Sequence, residues 1–190
     1  LKSKTIITNA SGVHAGPVSE YVISAILYFV KRIKDCHEFM QTTNWTQWEV
    51  AKQMVQLKEK TVGIIGFGSL GKAIAKKAKA FEMNIIATRR LQKKVEHKKT
   101  IDELIPVSKV SHLLKNSDFV VVACPLTPIT IGMIGKRELS TMKSSAIIIN
   151  IARGEIINET ALINALKNKT IAGAALDVFD NEPLPKESPL

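Results

Sequence analysis

Five short apolar runs in the second part of the chain constrain its fold more than any other feature of the sequence. They are rich in isoleucine and valine, are almost unbroken by polar residues, and occupy Thr61–Ile65, Asn84–Thr88, Phe119–Cys124, Ala146–Ile151 and Ala172–Val178. A strand that is apolar on both faces has to be covered on both faces, as strands are in a parallel sheet flanked by helices. The runs therefore predict the strands of a buried parallel sheet.

Helical patterns of apolar residues separate several of these runs. They lie at Leu70–Phe81, at Ile101–Leu104 together with Ser111–Lys115, at Lys136–Thr141 and at Glu159–Lys167. Strands that alternate with helices in this rhythm predict an α/β fold, a doubly wound parallel sheet with helices on both faces. One more strand is expected near Pro106–Val110, where polar residues obscure the pattern.

A helix precedes the alternating part of the chain. Pro17 suits a first helical position, and apolar residues recur after it at helical spacing, which predicts one long helix from about Pro17 to the late thirties. Trp45 and Trp48 follow in a polar stretch. Packing of these two rings against the long helix is the favoured interpretation, and contact with a partner protein is the alternative.

The composition is that of an ordinary globular protein. Of the 190 residues, 45% are hydrophobic and 23% are charged, which is enough apolar material for a large core. No run approaches the ~20 apolar residues that cross a bilayer, and the start has no signal-peptide layout. A cytoplasmic protein is therefore expected. The chain opens with Leu1 rather than methionine, which is compatible with a piece of a longer protein.

The cysteines are two, Cys36 and Cys124, far apart in sequence and in no metal-ligand spacing. Isolated cysteines of this kind are usually free thiols in a reducing compartment. The sequence therefore predicts neither a disulfide nor a metal site.

The first predicted strand runs directly into a glycine-rich turn with the sequence GFGSLG, from Gly66 to Gly71, and a predicted helix follows. In this context the pattern is typical of the dinucleotide-binding turn of the Rossmann fold. Gly66 permits the tight turn, Gly68 lets the backbone approach a pyrophosphate, and Gly71 allows close packing of helix on strand. The backbone N–H groups that open the helix at Ser69 and Leu70 are predicted to face the phosphates.

The second predicted strand ends in a basic segment that contains Thr88, Arg89, Arg90, Lys93 and Lys94. Sites that prefer NAD usually carry Asp or Glu about 20 residues after the glycines, on the ribose 2′-hydroxyl. Here the nearby acid, Glu82, precedes the strand. A guanidinium can hold a 2′-phosphate through two hydrogen bonds, whereas a carboxylate would repel it. We therefore predict NAD(P) as the cofactor, with NADP favoured over NAD; solvated surface arginines are the alternative.

The formal net charge of +10 is concentrated in one region. Between Lys72 and Lys99 the chain has ten basic residues against Glu82 and Glu96. A basic block of this kind can bind nucleic acid, but here it surrounds the glycine-rich turn and lacks interleaved aromatic residues and zinc-finger spacing. A smaller anion is the favoured ligand, and no nucleic-acid or membrane partner is expected.

Three segments in the second half carry a sharper signal. They are FVVVACPLTP from Phe119, with Thr130 after it, IINIARGEIINE from Ile148, and ALDVFDNEPLP from Ala175. Together they closely resemble the D-isomer-specific 2-hydroxyacid dehydrogenases, and NASGVHA from Asn9 matches that family's re-entry into its cofactor domain. The resemblance covers nearly the whole chain. It implies an oxidoreductase that transfers hydride between NAD(P) and a 2-hydroxy or 2-oxo acid.

The resemblance also implies roles for single residues. Arg153 matches the arginine that holds the carboxylate of the substrate and polarises its keto oxygen, with Gly154 expected to leave open space beside it. Glu182 matches the carboxylate that pairs with the catalytic histidine and raises its pKa. Asp177 matches the contact to the nicotinamide carboxamide. Positions that match the lining of the cofactor site are Cys124, Pro125, Thr130, Ile151, Ala152 and Arg153.

The catalytic histidine of the family is not matched by this chain. In the family it lies in a Pro-His segment shortly beyond the Glu-Pro motif, and the sequence ends at Leu190 before that segment. None of His14, His37, His97 and His112 has that context, although His14 could approach the site. The expected domain organisation is one NAD(P)-binding domain over residues 1–190, with a leading helix region at 1–40, a nucleotide-binding core at 61–180, and the substrate domain largely absent.

The family also implies a homodimer, because its counterpart of the Pro17 helix forms much of a two-fold interface; burial within one chain is the alternative. A dinucleotide-sensing interaction protein of the corepressor type is the alternative function, since some relatives in the family act in that way. The sequence leaves the identity of the 2-oxo acid open, because specificity residues lie mainly in the substrate domain.

Overall fold

The computed structural model of the chain describes residues 6, 8–10, 12–42, 45, 47–98 and 100–190. Ser11 of the NASGVHA motif and Lys99 of the basic block lie outside the described residues. In the described part, seven helices precede and separate the strands. They are α1 (Ala15–Val30), α2 (Ile33–Met40), α3 (Gln47–Ala51), α4 (Ser69–Ala80), α5 (Val110–Asn116), α6 (Lys136–Thr141) and α7 (Glu159–Lys167).

Seven strands in the described residues form one twisted sheet. They are β1 (Thr61–Ile65), β2 (Asn84–Arg89), β3 (Glu96–Lys98), β4 (Ile101–Pro106), β5 (Phe119–Val122), β6 (Ile147–Asn150) and β7 (Gly173–Leu176). The strand order is β3-β4-β2-β1-β5-β6-β7, and every neighbouring pair is parallel except β3 and β4. The chain winds outward in both directions from β1, as the predicted Rossmann fold requires.

Two apolar layers cover the sheet, one on each face. The side chains of α1 and α4 pack on one face and those of α5, α6 and α7 pack on the other. Successive residues of β1 show why the strand is apolar throughout, because Ile64 belongs to the first layer and Ile65 to the second. The prediction of strands that are buried on both faces is confirmed.

The five predicted strands and most predicted helices are present, but the segment between β2 and α5 differs from the prediction. Residues 101–104 form part of β4 rather than a helix, and the strand expected near Pro106–Val110 ends at Pro106. Ile101, Leu104 and Ile105 are buried at a spacing that imitates one helical face. Pairing of β4 with β2 decides the conformation, and β3 adds an antiparallel edge strand that the sequence did not indicate.

The prediction of one long helix from Pro17 to the late thirties is wrong, because the helix is interrupted between Val30 and Ile33. Arg32 adopts a left-handed conformation with φ of 52° and separates α1 from α2. The carbonyl oxygen of Val30 accepts a hydrogen bond from the N–H of Val55 at 3.0 Å. A helix ends where its carbonyls find partners outside the helix, so the returning segment after α3 ends α1.

Trp45 packs against the end of the span that was predicted as the long helix, but both tryptophans remain largely exposed. The side chain of Trp45 makes an edge-to-face contact with Phe39 of α2, with ring centroids 5.5 Å apart. Trp45 nevertheless stays 75% exposed and Trp48 stays 70% exposed. The segment after α2 therefore carries two large apolar rings on the surface of the isolated chain.

Asp102 ties β4 to its neighbours on one side of the sheet. Its carboxylate accepts the backbone N–H of Ile85 in β2 and a hydrogen bond from Nζ of Lys79 in α4, both at 2.6 Å. Partial burial acts to raise the pKa of this carboxyl, but the hydrogen bonds from Lys79 and Ile85 and the positive charge of Lys79 outweigh burial. Together they hold the pKa of Asp102 below its usual value.

We expect Asp102→Asn to lower the melting temperature by about 2–4 °C near pH 7, because the lost pair is half exposed and contributes about 1 kcal/mol. A carboxyl whose pKa is lower in the folded than in the unfolded chain stabilises the fold above the unfolded value of about 4. That contribution disappears as the pH falls through the lower, folded value, so the two proteins should converge in acid. Thermal unfolding followed by circular dichroism measures both effects. Glu38→Gln, which removes an exposed pair with Lys34 at 3.6 Å, is the control with little change; an equal loss in both variants would contradict the prediction.

Candidate functional site

The three glycines of the turn between β1 and α4 occupy different environments. Gly66 has φ of +108°, and a Cβ there would lie 2.7 Å from the backbone nitrogen of Cys124. A Cβ on Gly71 would lie 2.4 Å from the carbonyl oxygen of Gly66. Among the residues that the structure describes, no heavy atom would lie within 4 Å of a Cβ on Gly68. Gly66 and Gly71 are therefore required by the close packing of the turn, whereas Gly68 borders open space.

That open space lies at the start of α4. Gly68 is the residue before the helix and, as a glycine, has no side chain that could cap it. Within the described part of the chain, the backbone N–H groups of Ser69, Leu70 and Gly71 have no acceptor, and the first turn has no acidic residue. Free N–H groups and the positive end of the helix dipole attract an anion. The arrangement can therefore bind a phosphate group.

Thr88 supports the turn from β2. Its side chain is buried, and its Oγ1 accepts the backbone N–H of Gly66 at 3.3 Å, while its carbonyl oxygen accepts the N–H of Phe67 at 2.8 Å. These hydrogen bonds use the polar atoms of Thr88 within the protein. Thr88 was predicted to contact a cofactor, and the structure places it beneath the turn as a residue that positions the glycines.

Arg89 and Arg90 are exposed where β2 ends, beside the glycine-rich turn. Neither guanidinium forms an ion pair with any residue that the structure describes. The nearby acid, Glu82, precedes β2 and pairs with Lys58 at 3.1 Å. The end of β2 beside the turn therefore carries positive charge that no ion pair among the described residues neutralises, and Lys93 adds to that charge.

The loop after β5 reaches the other side of the turn. The N–H of Ala123 donates to Ile65 at 2.9 Å, and burial raises the pKa of the Cys124 thiol, which disfavours the reactive thiolate. Thr130 Oγ1 donates to the carbonyl oxygen of Pro125 at 2.8 Å and accepts the N–H of Thr127 at 2.8 Å. Thr130 thus shapes the loop that borders the turn.

Asn150, at the end of β6, organises the segment that holds Arg153. Its Nδ2 donates to the carbonyl oxygen of Arg153 at 2.9 Å, and its Oδ1 accepts the N–H of Ala152 at 3.1 Å. The N–H of Ile151 donates to Val122 of β5 at 3.3 Å. Asn150 is not among the site residues predicted from the sequence, although an amide at the end of an apolar strand is a signal that could have identified it.

Arg153 is exposed and carries a guanidinium without a carboxylate partner in the described residues; its Nη1 donates to the carbonyl oxygen of Ala152 at 2.6 Å. The expectation that Gly154 leaves open space is wrong. A Cβ on Gly154 would lie 2.0 Å from the carbonyl carbon of Phe179. Gly154 is instead needed because the backbone after β7 passes directly over it, which brings the Arg153 segment against the Glu182 segment.

Glu182 stabilises the turn that packs on Gly154. Its Oε1 accepts the backbone N–H of Phe179 at 2.9 Å, and its side chain is otherwise exposed. In the same turn, burial raises the pKa of Asp180, and the negative charges of Glu159 and Glu155 raise it further. Glu182 and Arg153 are therefore held on two segments that contact each other at the carboxyl edge of the sheet.

Asp177 follows β7 at the same edge. Its N–H donates to the carbonyl oxygen of Asn150 at 3.0 Å, and its side chain is exposed. Burial raises the pKa of Tyr21 in α1, and the charge of Asp177 raises it further. The carboxylate of Asp177 therefore lies within electrostatic range of α1, a proximity that the sequence did not indicate.

The start of α1 also lies at this edge. A Cβ on Gly12 would be 3.7 Å from Cβ of Ser69, so the segment before α1 passes beside the glycine-rich turn. His14, the residue before α1, is exposed. His37, His97 and His112 lie on α2, β3 and α5. The predicted site residues thus meet at the carboxyl ends of the parallel strands, where ligands of doubly wound sheets bind.

Two cavities lie away from the glycine-rich turn. One, of about 390 Å³, lies between α6 and α7, and another, of about 370 Å³, lies between α1 and β7. Among the described residues, no cluster of histidine, cysteine or acidic side chains could hold a metal ion, and no helix is long and apolar enough to cross a bilayer.

Comparisons with known proteins agree with this arrangement. The family model described as "D-isomer specific 2-hydroxyacid dehydrogenase, NAD binding domain" matches residues 23–190. The glyoxylate reductase of Thermococcus gammatolerans is 40% identical over 182 residues, which cover 93% of this chain and 54% of that protein. The chain thus spans about half the length of the curated relatives it matches.

Solved structures show the same fold. The NAD-dependent formate dehydrogenase of Staphylococcus aureus, crystallised in complex with NAD, gives a TM-score of 0.83 at 28% identity, over 94% of this chain and 52% of that one. A D-isomer specific 2-hydroxyacid dehydrogenase of Xanthobacter autotrophicus, in complex with NADPH and MES, gives 0.81 at 29% identity, over 98% and 73%.

Proposed function

The chain belongs to the D-isomer-specific 2-hydroxyacid dehydrogenase family, and from this premise we propose that it is the NAD(P)-binding domain of an oxidoreductase. The whole enzyme would reduce a small 2-oxo acid, or oxidise the matching 2-hydroxy acid. The observation that carries the proposal is the open space at Gly68, in front of the unpaired N–H groups that begin α4. We assign residues 61–180 as the nucleotide-binding core.

The residues at the carboxyl edge fit a bound dinucleotide. The N–H groups of Ser69, Leu70 and Gly71 would hold the pyrophosphate, and Asp177 would accept a hydrogen bond from the nicotinamide carboxamide. When bound, the nicotinamide supplies or accepts the hydride. The further residues that we assign to the lining of the site are Gly66, Cys124, Pro125, Thr130, Ile151 and Ala152.

NADP is the proposed preferred form of the cofactor. Arg89 and Arg90 lie beside the turn without an ion-pair partner in the described part of the chain, and Glu82 is held by Lys58 at the opposite end of β2. An unpaired guanidinium is well suited to a phosphate monoester, which it can bind through two parallel hydrogen bonds.

Arg89→Asp should weaken NADPH binding by about 10-fold or more and leave NADH binding unchanged or tighter, because the change replaces attraction to a 2′-phosphate by repulsion. Quenching of protein fluorescence during titration with each nucleotide measures both dissociation constants. Arg137→Asp, on the exposed side of α6, is the control for the change in net charge. If both variants bind NADPH and NADH as the wild type does, the assignment of Arg89 is refuted.

The proposed substrate is a 2-oxo acid of the size of glyoxylate, since curated relatives carry the name glyoxylate reductase. Arg153 would hold the carboxylate and the keto oxygen, because a planar guanidinium offers two parallel donors and stabilises charge on oxygen. Glu182 would pair with a histidine outside the given residues and keep it protonated, so that the histidine can donate its proton to the keto oxygen during reduction. Asn150 and Gly154 would orient Arg153 through the contacts described above.

In the full-length protein, Arg153→Ala should lower kcat/KM for glyoxylate by about 10²–10³-fold, because the lost interaction is strongest with the charge that develops on oxygen. NADPH affinity should change by less than about 3-fold. Steady-state kinetics and nucleotide titration measure the two effects, and Arg153→Lys should recover part of the loss. Equal losses of activity and of NADPH affinity would contradict the proposed role.

We propose a homodimer that uses the face of α1 and the exposed tryptophans. Tyr28 and Phe29 line the groove between α1 and β7, and Trp45 and Trp48 extend the apolar surface beyond α2. Exposed apolar patches of this kind usually mark interfaces.

Sedimentation velocity should show a dimer at micromolar concentration for the wild type and a shift towards monomer for the double variant Trp45→Ser/Trp48→Ser. A monomeric wild type would exclude the dimer.

The two free thiols, Cys36 and Cys124, suit the reducing cytoplasm, where we propose that the enzyme acts. Fractionation of the source cells with an antibody against the chain tests this location, and recovery in an extracellular or periplasmic fraction would refute it.

A further inference from the structure

We propose that Lys72 is an additional cation of the 2′-phosphate subsite, and therefore a further residue that sets the preference for NADP over NAD. The proposal rests on the proposed NADP-binding function and adds a residue from α4 to the arginines that follow β2. Neither the glycine-rich motif nor the basic segment after β2 points to this lysine, because the glycine motif specifies only the backbone of the turn.

The two flanks of α4 can be told apart by their ion pairs. Lys77 pairs with Glu20 of α1 at 3.0 Å, which marks the flank that faces α1. Lys79 pairs with Asp102 of β4 at 2.6 Å, which marks the flank that faces β2 and β4. Lys72 precedes Lys79 by seven residues, close to two full turns, and therefore lies on the same flank as Lys79. Lys72 therefore lies on the flank of α4 that faces β2.

The height of Lys72 along the sheet follows from the same contacts. The carboxylate oxygen of Asp102 that binds Lys79 also accepts the N–H of Ile85, so Lys79 is level with the start of β2. Lys72 lies about 10 Å from Lys79 along the helix axis. Arg89 lies about 13 Å from Ile85 along β2, in the same direction, because α4 runs antiparallel to the strands it connects. Lys72 and Arg89 therefore emerge at nearly the same level, on facing elements.

The ammonium group of Lys72 is available for a ligand. The side chain is exposed and has no ion-pair partner among the residues that the structure describes, whereas Lys77 and Lys79 are held by acids. Lys72 also lies one helical turn after Gly68, which borders the open space proposed for the phosphates of the cofactor. A flexible ammonium group between this open space and the end of β2 can approach a dianion at the ribose without displacing any protein contact.

Lys76 provides a matched comparison within the same helix. It has the same charge, is also exposed, and has no ion-pair partner in the described residues. It lies one turn, about 6 Å, farther from the carboxyl edge, and its direction is rotated away from the sheet. Substitution of Lys72 or Lys76 by glutamine changes the net charge equally, so a difference between the two variants reports position.

The experiment is a titration of the chain with NADPH and with NADH, for the wild type, Lys72→Gln, Lys72→Arg and Lys76→Gln. We expect Lys72→Gln to weaken NADPH binding by about 5- to 10-fold with less than 2-fold change for NADH, as loss of one charge-assisted contact requires. Lys72→Arg should retain most of the NADPH affinity, and Lys76→Gln should change both affinities by less than about 2-fold. Circular dichroism verifies that all four proteins are folded.

Two outcomes would overturn the inference. One is a Lys72→Gln variant that keeps the wild-type ratio of NADPH to NADH affinity, and the other is equal loss in Lys72→Gln and Lys76→Gln, which would indicate general charge attraction. The wild-type data separate this result from failure of the proposed function. A wild type that binds NADPH and NADH equally refutes the NADP preference itself, whereas a wild type that prefers NADPH and an unaffected Lys72→Gln refutes only the role of Lys72.

Discussion

The close approach of the turn between β1 and α4 to the end of β5 is the constraint on which the rest of the site depends. At Gly66 there is no room for a Cβ beside the backbone nitrogen of Cys124, and at Gly71 there is no room beside the carbonyl oxygen of Gly66. These contacts place the first turn of α4 over the end of β1. The N–H groups of that turn then lie at the carboxyl ends of β1 and β5, the neighbouring strands between which the direction of winding reverses.

The loops around the turn support one another through backbone contacts. Thr88 accepts a hydrogen bond from the glycine-rich turn, and Asn150 donates one to the segment that holds Arg153. Because Gly154 has no side chain, the backbone after β7 can pack directly against it. Glu182 then closes that segment onto Phe179. Side chains that hold loops in this way limit how far the exposed groups can move, which favours a preformed site.

The distribution of ion pairs gives the edge its charge. Glu20 of α1 and Asp102 of β4 neutralise Lys77 and Lys79, which lie in the last turn of α4. The cations nearest the glycine-rich turn, Lys72, Arg89 and Arg90, lack such partners within the described residues. Part of the positive charge of the basic block is therefore left without an ion-pair partner at the carboxyl edge of the sheet, where an anionic ligand can neutralise it.

The sequence by itself determined the parallel sheet and its glycine-rich turn, because burial on both faces demands unbroken apolar strands and close backbone contact demands glycine. It did not determine the conformation of residues 101–104. The spacing of Ile101 and Leu104 suits either a helix or a buried strand, and pairing with β2 selects the strand. Tertiary structure also decided the end of α1, where Val55 takes the carbonyl of Val30, and the role of Gly154, which depends on Phe179. The roles of Asn150, Lys72 and Tyr21 likewise depend on tertiary contacts. Their neighbours are distant in sequence, and a pattern of local residues carries no information about which distant backbone will lie beside it.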